Sequence, residues 1–196
     1  MPGDIKQNQL NLLLIDNYDS FTYNLVQLVK QCGVSDFDIL KNDELLSCNK
    51  RYDKVLISPG PGVAHEAGEL MVFLKSNYTS ASVLGICLGQ EAIVELFGGK
   101  HKKLEHPLHG YRNKATIIKQ HYIFDNLPDT FYIGHYHSWY VDETVFPGEL
   151  EILIKDEQGL IMGVTHKQFD LTGLFYHPES IMTEFGKEMI NNWLQH

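Results

Sequence analysis

The sequence predicts an α/β fold: an open, mostly parallel sheet with helices on both faces, extended by antiparallel strands in the C-terminal half. Two observations carry this. Over residues 12–99, short apolar runs alternate with stretches of helical periodicity, the pattern of parallel strands joined by crossover helices. Beyond about Ala115 the helical spacing stops, and short strand-like runs follow one another between Gly, Pro and Asp turns.

The apolar run 10–15 ends in Asp16 and reads as a strand. Asp19-Ser20 offers a cap to a helix whose residues Phe21, Leu25, Leu28 and Val29 share one face, and Gly33 stops it. Residues 37–40 form a second strand. Residues 54–57 form a third, which runs into Ser58-Pro59-Gly60-Pro61-Gly62. Residues 70–74 read as helix, and 83–86 as a fourth strand. After Cys87 the residues Leu88, Ala92, Ile93 and Leu96 fall at helical spacing until Gly98-Gly99 ends the helix. The later strands are 115–118, 131–133, 150–154, 161–164 and 171–176, and a last helix covers about 184–195.

The chain has 196 residues, 43% of them hydrophobic. That suits one compact domain over 1–196, burying roughly 70% of its unfolded surface. Its formal charge is -9, with no basic run longer than Lys102-Lys103, so the electrostatic footprint of a nucleic-acid binder is missing. Residues 1–9 are polar without a signal pattern, and runs such as 12–15 are far too short to span a membrane. A cytoplasmic location is therefore expected. Cys32, Cys48 and Cys87 form neither an even framework nor a metal-type spacing and are expected as free thiols.

Three motifs carry chemistry. Gly85-Ile86-Cys87-Leu88-Gly89 is a G-x-C-x-G version of the nucleophile elbow, a sharp strand-to-helix turn that lifts the central side chain off the sheet edge. The helix N-terminus behind it favours the thiolate. Read alone, the pentapeptide also fits a buried cysteine in a Gly-rich turn. His177-Pro178-Glu179 supplies a candidate base: the residue before proline is extended, so positions 177 and 179 point to the same side. Pro59-Gly60-Pro61-Gly62 follows a strand, and the Gly60 and Gly62 amides are available donors for an oxyanion.

His135 and His137 share a strand face, which raises a metal site, but no further ligand falls at a convincing spacing. His65, His101, His106, His109, His121 and His166 read as surface or locally hydrogen-bonded residues.

SPGPG (58–62), GICLG (85–89), GHYHSW (134–139) and FYHPESIMTEFG (175–186) together resemble, in order and spacing, the class I (triad) glutamine amidotransferases. The resemblance is greatest to the small component II subunits of anthranilate synthase and aminodeoxychorismate synthase, and it extends to LLLIDNYDSFT at 12–22. It implies hydrolysis of the glutamine side-chain amide with Cys87 as nucleophile, His177 as base and acid, and Glu179 orienting His177. The thioester oxyanion is expected near the Leu88 amide and the loop of Gly60, Pro61 and Gly62. His137, Ser138 and Trp139 would hold the amino-acid end of glutamine. No metal or cofactor is implied. The partner would be a chorismate-binding synthase subunit that receives the ammonia.

The chain departs from the family at several positions. Gln90 stands where His is common, and Phe175, Tyr176, His135 and Ala64 replace Gln, Phe, Arg and Pro. Glu91 stands where a neutral Gln usually contacts the bound glutamine. A charge there, about 6 Å from the thiol, would raise the thiol pKa by about two units at an effective dielectric of 20. Glu91 therefore also sets the alternative reading, a catalytically impaired docking subunit of the same synthase.

Overall fold

The computed structural model describes residues 10–196; the polar stretch 1–9, read above as lacking a signal pattern, lies outside the described residues. The chain runs through β1 (Leu12–Asp16), α1 (Thr22–Gln31), β2 (Asp38–Lys41), β3 (Lys54–Ile57), α2 (Leu70–Asn77), β4 (Ser82–Ile86) and α3 (Leu88–Leu96). It continues through β5 (His101–Ile117), β6 (Thr130–Val141), β7 (Leu150–Asp156), β8 (Ile161–His166), β9 (Leu171–Leu174) and α4 (Gly186–Gln195). The strands form one sheet in the order β2-β1-β3-β4-β9-β8-β7-β5-β6. Neighbours from β2 to β9 run parallel, and those from β9 to β6 antiparallel.

The parallel strands read as unbroken apolar runs because both faces are covered. Leu12, Leu14, Leu56 and Leu84 pack with Leu25 and Val29 of α1 and with Met189, Ile190 and Trp193 of α4. Their neighbours Leu13, Ile15, Val55 and Val83 point the other way, into Leu70, Phe73 and Leu74 of α2 and Ala92 and Ile93 of α3. Strand alternation thus divides one sheet between two apolar layers.

Two sequence expectations need correction. Helix α1 has Phe21 at its N-cap with no side-chain cap; Asp19 instead accepts the Phe21 N–H at 2.7 Å. Strand β5 begins at His101, well before residue 115, and its first part pairs with the end of β6 as a two-stranded ribbon. Residues there are mostly exposed and polar, so no period-2 apolar signal marks them. The register also slips twice, between Lys103 and Leu108 and between His109 and Tyr111, where Gly110 takes a φ of 67°.

The topology decides where the motifs meet. β3, β4 and β9 are adjacent and parallel, so the loop after 57, the elbow after 86 and the segment after 174 leave the same sheet edge. Ile86 sits opposite Leu174, and the Cys87 N–H donates to the Leu174 carbonyl at 2.8 Å. Carboxyl ends of parallel strands are where open α/β sheets bind ligands. Among the described residues, no helix is long and apolar enough to cross a membrane.

Candidate active site

Cys87 joins β4 to α3 at φ 51° and ψ -99°, a conformation that a non-glycine residue adopts only when its surroundings impose it. The flanking glycines impose it by close approach. A Cβ on Gly85 would lie 2.5 Å from the Gly89 backbone, and one on Gly89 would meet the Ile57 side chain at 3.0 Å. The elbow is therefore locked between β3 and the first turn of α3. Cys87 is buried, and burial pushes its thiol above the ordinary value while His177 pulls it down. Desolvation thus opposes the help expected for the thiolate from the helix terminus.

His177 lies beside the elbow, with Nδ1 2.7 Å from Glu179 Oε1. Both side chains are buried. Among the described residues Nε2 has no hydrogen-bond partner, and Cys87 acts on the ring from close by. Burial disfavours the imidazolium, but Cys87 and Glu179 outweigh it and hold His177 up to about 10. The ring is gripped by aromatic neighbours: Tyr136 of β6 at 4.9 Å and Phe21 at 5.5 Å between centroids. Neither was singled out from the sequence. Phe21 lay inside the apolar stripe of α1 and Tyr136 inside the GHYHSW motif, and no local signal separates these roles from core packing.

The 58–62 loop is braced from β1. The Asn17 N–H donates to Ser58 Oγ at 2.9 Å, its Nδ2 donates to the Ser58 carbonyl at 2.8 Å, and Asn42 Nδ2 donates to Asn17 Oδ1 at 3.1 Å. A Cβ on Gly60 would sit 2.5 Å from Leu88 and 2.6 Å from Asn17 Cβ, so the loop rests on the residue that follows Cys87. Gly62 takes a φ of 80°. Gly60 thus lies against the elbow, beside the first turn of α3, whose leading N–H groups have no intrahelical acceptor.

Glu91 lies in the first turn of α3 and is 4% exposed, with no hydrogen bond or ion pair to its carboxyl group among the described residues. Burial, and then Glu95, push it up to about 8. On β6, Ser138 and Trp139 remain partly exposed, whereas the His137 ring is buried 4.5 Å from Phe175 and bound to His135. Among the described residues, no group of three or more His, Cys, Asp or Glu side chains is arranged to hold a metal ion.

Of the other histidines, His106 and His109 are exposed. His65 pairs with Glu95, His121 accepts the Ile123 N–H, and His166 accepts those of Gln168 and Phe169. His101 is not exposed and, among the described residues, its ring makes no hydrogen bond, although its Nδ1 lies 3.8 Å from Glu95 Oε1. Its ring is buried over Phe175, with both nitrogens lacking a hydrogen bond, and burial pushes it down to about 4.

The glutamine amidotransferase class-I family matches residues 13–196, and the chain belongs to that family. Among named relatives, the chain is 39% identical over 187 residues to anthranilate synthase component 2 of Lactococcus lactis, covering 93% of each chain. It is 36% identical over 190 residues to the aminodeoxychorismate/anthranilate synthase component 2 of Bacillus subtilis, covering 94% of this chain and 95% of that one. The fold also matches the crystal structure of a glutamine amidotransferase from Thermotoga maritima, with a TM-score of 0.77 and 14% identity over 95% of this chain and 97% of the other.

Proposed function

We propose that the chain is the glutaminase component of a chorismate-aminating synthase, making anthranilate or aminodeoxychorismate. The observation that carries this is the convergence of Cys87, His177 and Glu179 at one sheet edge in a chain of this family. Sγ of Cys87 attacks the side-chain amide carbon of glutamine as a thiolate whose proton rests on His177 Nε2, the ring charge that Cys87 and Glu179 favour. Glu179 stabilises the imidazolium. The proton then passes to the leaving nitrogen, ammonia departs, and a glutamyl thioester remains on Cys87. Water, deprotonated by His177, attacks the thioester and releases glutamate.

The oxyanion of each tetrahedral step is assigned to the Leu88 amide and the 60–62 loop, and each well-aimed donor there contributes about 3 to 4 kcal/mol. Ser138, Trp139 and the backbone of His137 hold the amino-acid end of the substrate. Glu91 meets the same substrate from α3 as a neutral acid, because its raised pKa leaves it mostly protonated at neutral pH. That removes the charge on which the docking-only alternative depends. Ammonia would be protonated in bulk water, so it passes directly to the chorismate-binding subunit. Purifying the complex and identifying its large subunit tests the assignment; a bound partner that does not act on chorismate would overturn it.

A further inference from the structure

Behind the β6 segment that carries His137, Ser138 and Trp139 runs a buried polar chain that the proposed reaction does not use. It links the Trp139 carbonyl to His137 Nδ1 at 2.7 Å, His137 Nε2 to His135 Nδ1 at 2.9 Å, and His135 Nε2 to Asn113 Oδ1 at 2.6 Å. Asn113 Nδ2 then donates to Asp156 Oδ2 at 3.2 Å. The other oxygen of Asp156 accepts the N–H groups of Gln158 and Leu160 at 3.0 and 2.8 Å. The residues are 3%, 0%, 3% and 7% exposed for Asn113, His135, His137 and Asp156, so water does not supply missing protons.

The links can be counted. Those four contacts need four hydrogens, one in each. The two ends, a carbonyl and a carboxylate, donate none. Each neutral imidazole donates one hydrogen, and the Asn113 amide donates on one side only. That makes three. With two neutral rings, therefore, two lone pairs face each other somewhere along the chain, at hydrogen-bond distance and out of water, which is costly. Reversing the Asn113 amide does not change the count. It moves the deficit to Asp156, whose Oδ2 would then have to donate. Burial pushes both rings down, to about 4, so neither keeps a second proton on its own account. Asp156, 3.9 Å from His135 Nε2, places a compensating negative charge in the same network.

We infer that this network holds one proton more than two neutral imidazoles and a carboxylate, and that the closed network positions the Trp139 carbonyl and the segment around it for glutamine. His135, Asn113 and Asp156 are then positioning residues acting through His137. The positioning part rests on the reading of 137–139 as the glutamine-binding segment; the proton count does not. The Asp156→Asn substitution is the decisive variant. Its amide oxygen can still accept from Gln158 and Leu160, while its NH2 supplies the fourth hydrogen, so the chain closes without an extra proton.

Nitrogen-15 spectra of the histidine rings, with the carbon-13 signal of the Asp156 carboxyl group, count the protons in the full chain. Three ring protons shared by His135 and His137, or two together with a protonated Asp156, are expected; two with an ionised Asp156 would overturn the inference. In Asp156→Asn two ring protons are expected, and three would overturn it. In glutamine hydrolysis, Asn113→Leu is expected to raise KM about tenfold, the equivalent of one hydrogen bond, with kcat within about twofold. Asp156→Asn is expected to raise KM by less than Asn113→Leu does, because its chain still closes. A fall in kcat matching the rise in KM, or no change in Asn113→Leu, would overturn the positioning role. If Asn113→Leu does not fold, the parent ring-proton count and Asp156→Asn decide. A parent chain that hydrolyses no glutamine with its partner bound would overturn the proposed function and leave the proton count standing.

Discussion

The Glu91 N–H donates to the Cys87 carbonyl at 3.0 Å, which sets a buried carboxyl group one helical turn behind the proposed nucleophile. With its pKa raised to about 8, roughly nine-tenths of Glu91 is protonated at pH 7. The charge effect expected from the sequence is therefore an alkaline effect. Glu91→Gln should leave the pH dependence of Cys87 alkylation unchanged below about pH 7 and lower the apparent thiol pKa only above about pH 8. Glutamine turnover should match the parent at pH 7 and exceed it above pH 8. A parent-like profile at pH 9 would show that Glu91 does not act on the thiol.

The same residue has a stability signature. A carboxyl group whose folded pKa is raised binds its proton more tightly in the native state, so stability falls as pH climbs from about 4.5 to about 8. Glu91→Gln should remove that slope. Urea denaturation at pH 5 and pH 8 measures it, and equal slopes in parent and variant would sink the prediction.

His177 works in the opposite sense. Its folded pKa is raised from 6.5 to about 10, so its ion pair stabilises the fold fully below about 6.5 and is lost as pH rises through about 10. Glu179→Gln should weaken that contribution and lower kcat for glutamine by about 10² or more, as expected for a base that has lost its orienting partner. Activity with added ammonium salts in the presence of the synthase should survive.

Cys87→Ser should abolish glutamine-dependent product formation and leave the ammonium-dependent reaction intact. Mass spectrometry after treatment with a glutamine-mimicking electrophile should find the label on Cys87. A label confined to Cys32 or Cys48 would displace the elbow from the mechanism.

Gly186 holds the loop of His177, Pro178 and Glu179 from behind. A Cβ there would lie 1.8 Å from the Pro178 carbonyl oxygen, so Gly186→Ala must move the segment between His177 and Glu179. We expect a cost of about 1 to 3 kcal/mol in stability. Turnover should fall further than the unfolded fraction explains; full activity in the folded variant would show that the loop tolerates the shift.

The sequence by itself determined most of the elements and nominated the candidate reacting groups, because both signals are local. Unbroken apolar runs placed the strands of the parallel half and the 3.6 period its helices, and the backbone demands of a tight turn wrote Gly85, Cys87 and Gly89 close together. The start of β5 was illegible because most residues of that ribbon are polar and exposed and so carry no apolar period. Only the tertiary structure decided which distant groups share an environment. Sheet order put β9 beside β4 and so brought His177 to Cys87. Cross-strand packing joined His135 to Asn113 and Asp156, and sealed His101 against Phe175. Charge state followed the same division. Glu91 is an acid in the sequence, but its protonation depends on the water excluded around it, which no local pattern of residues records.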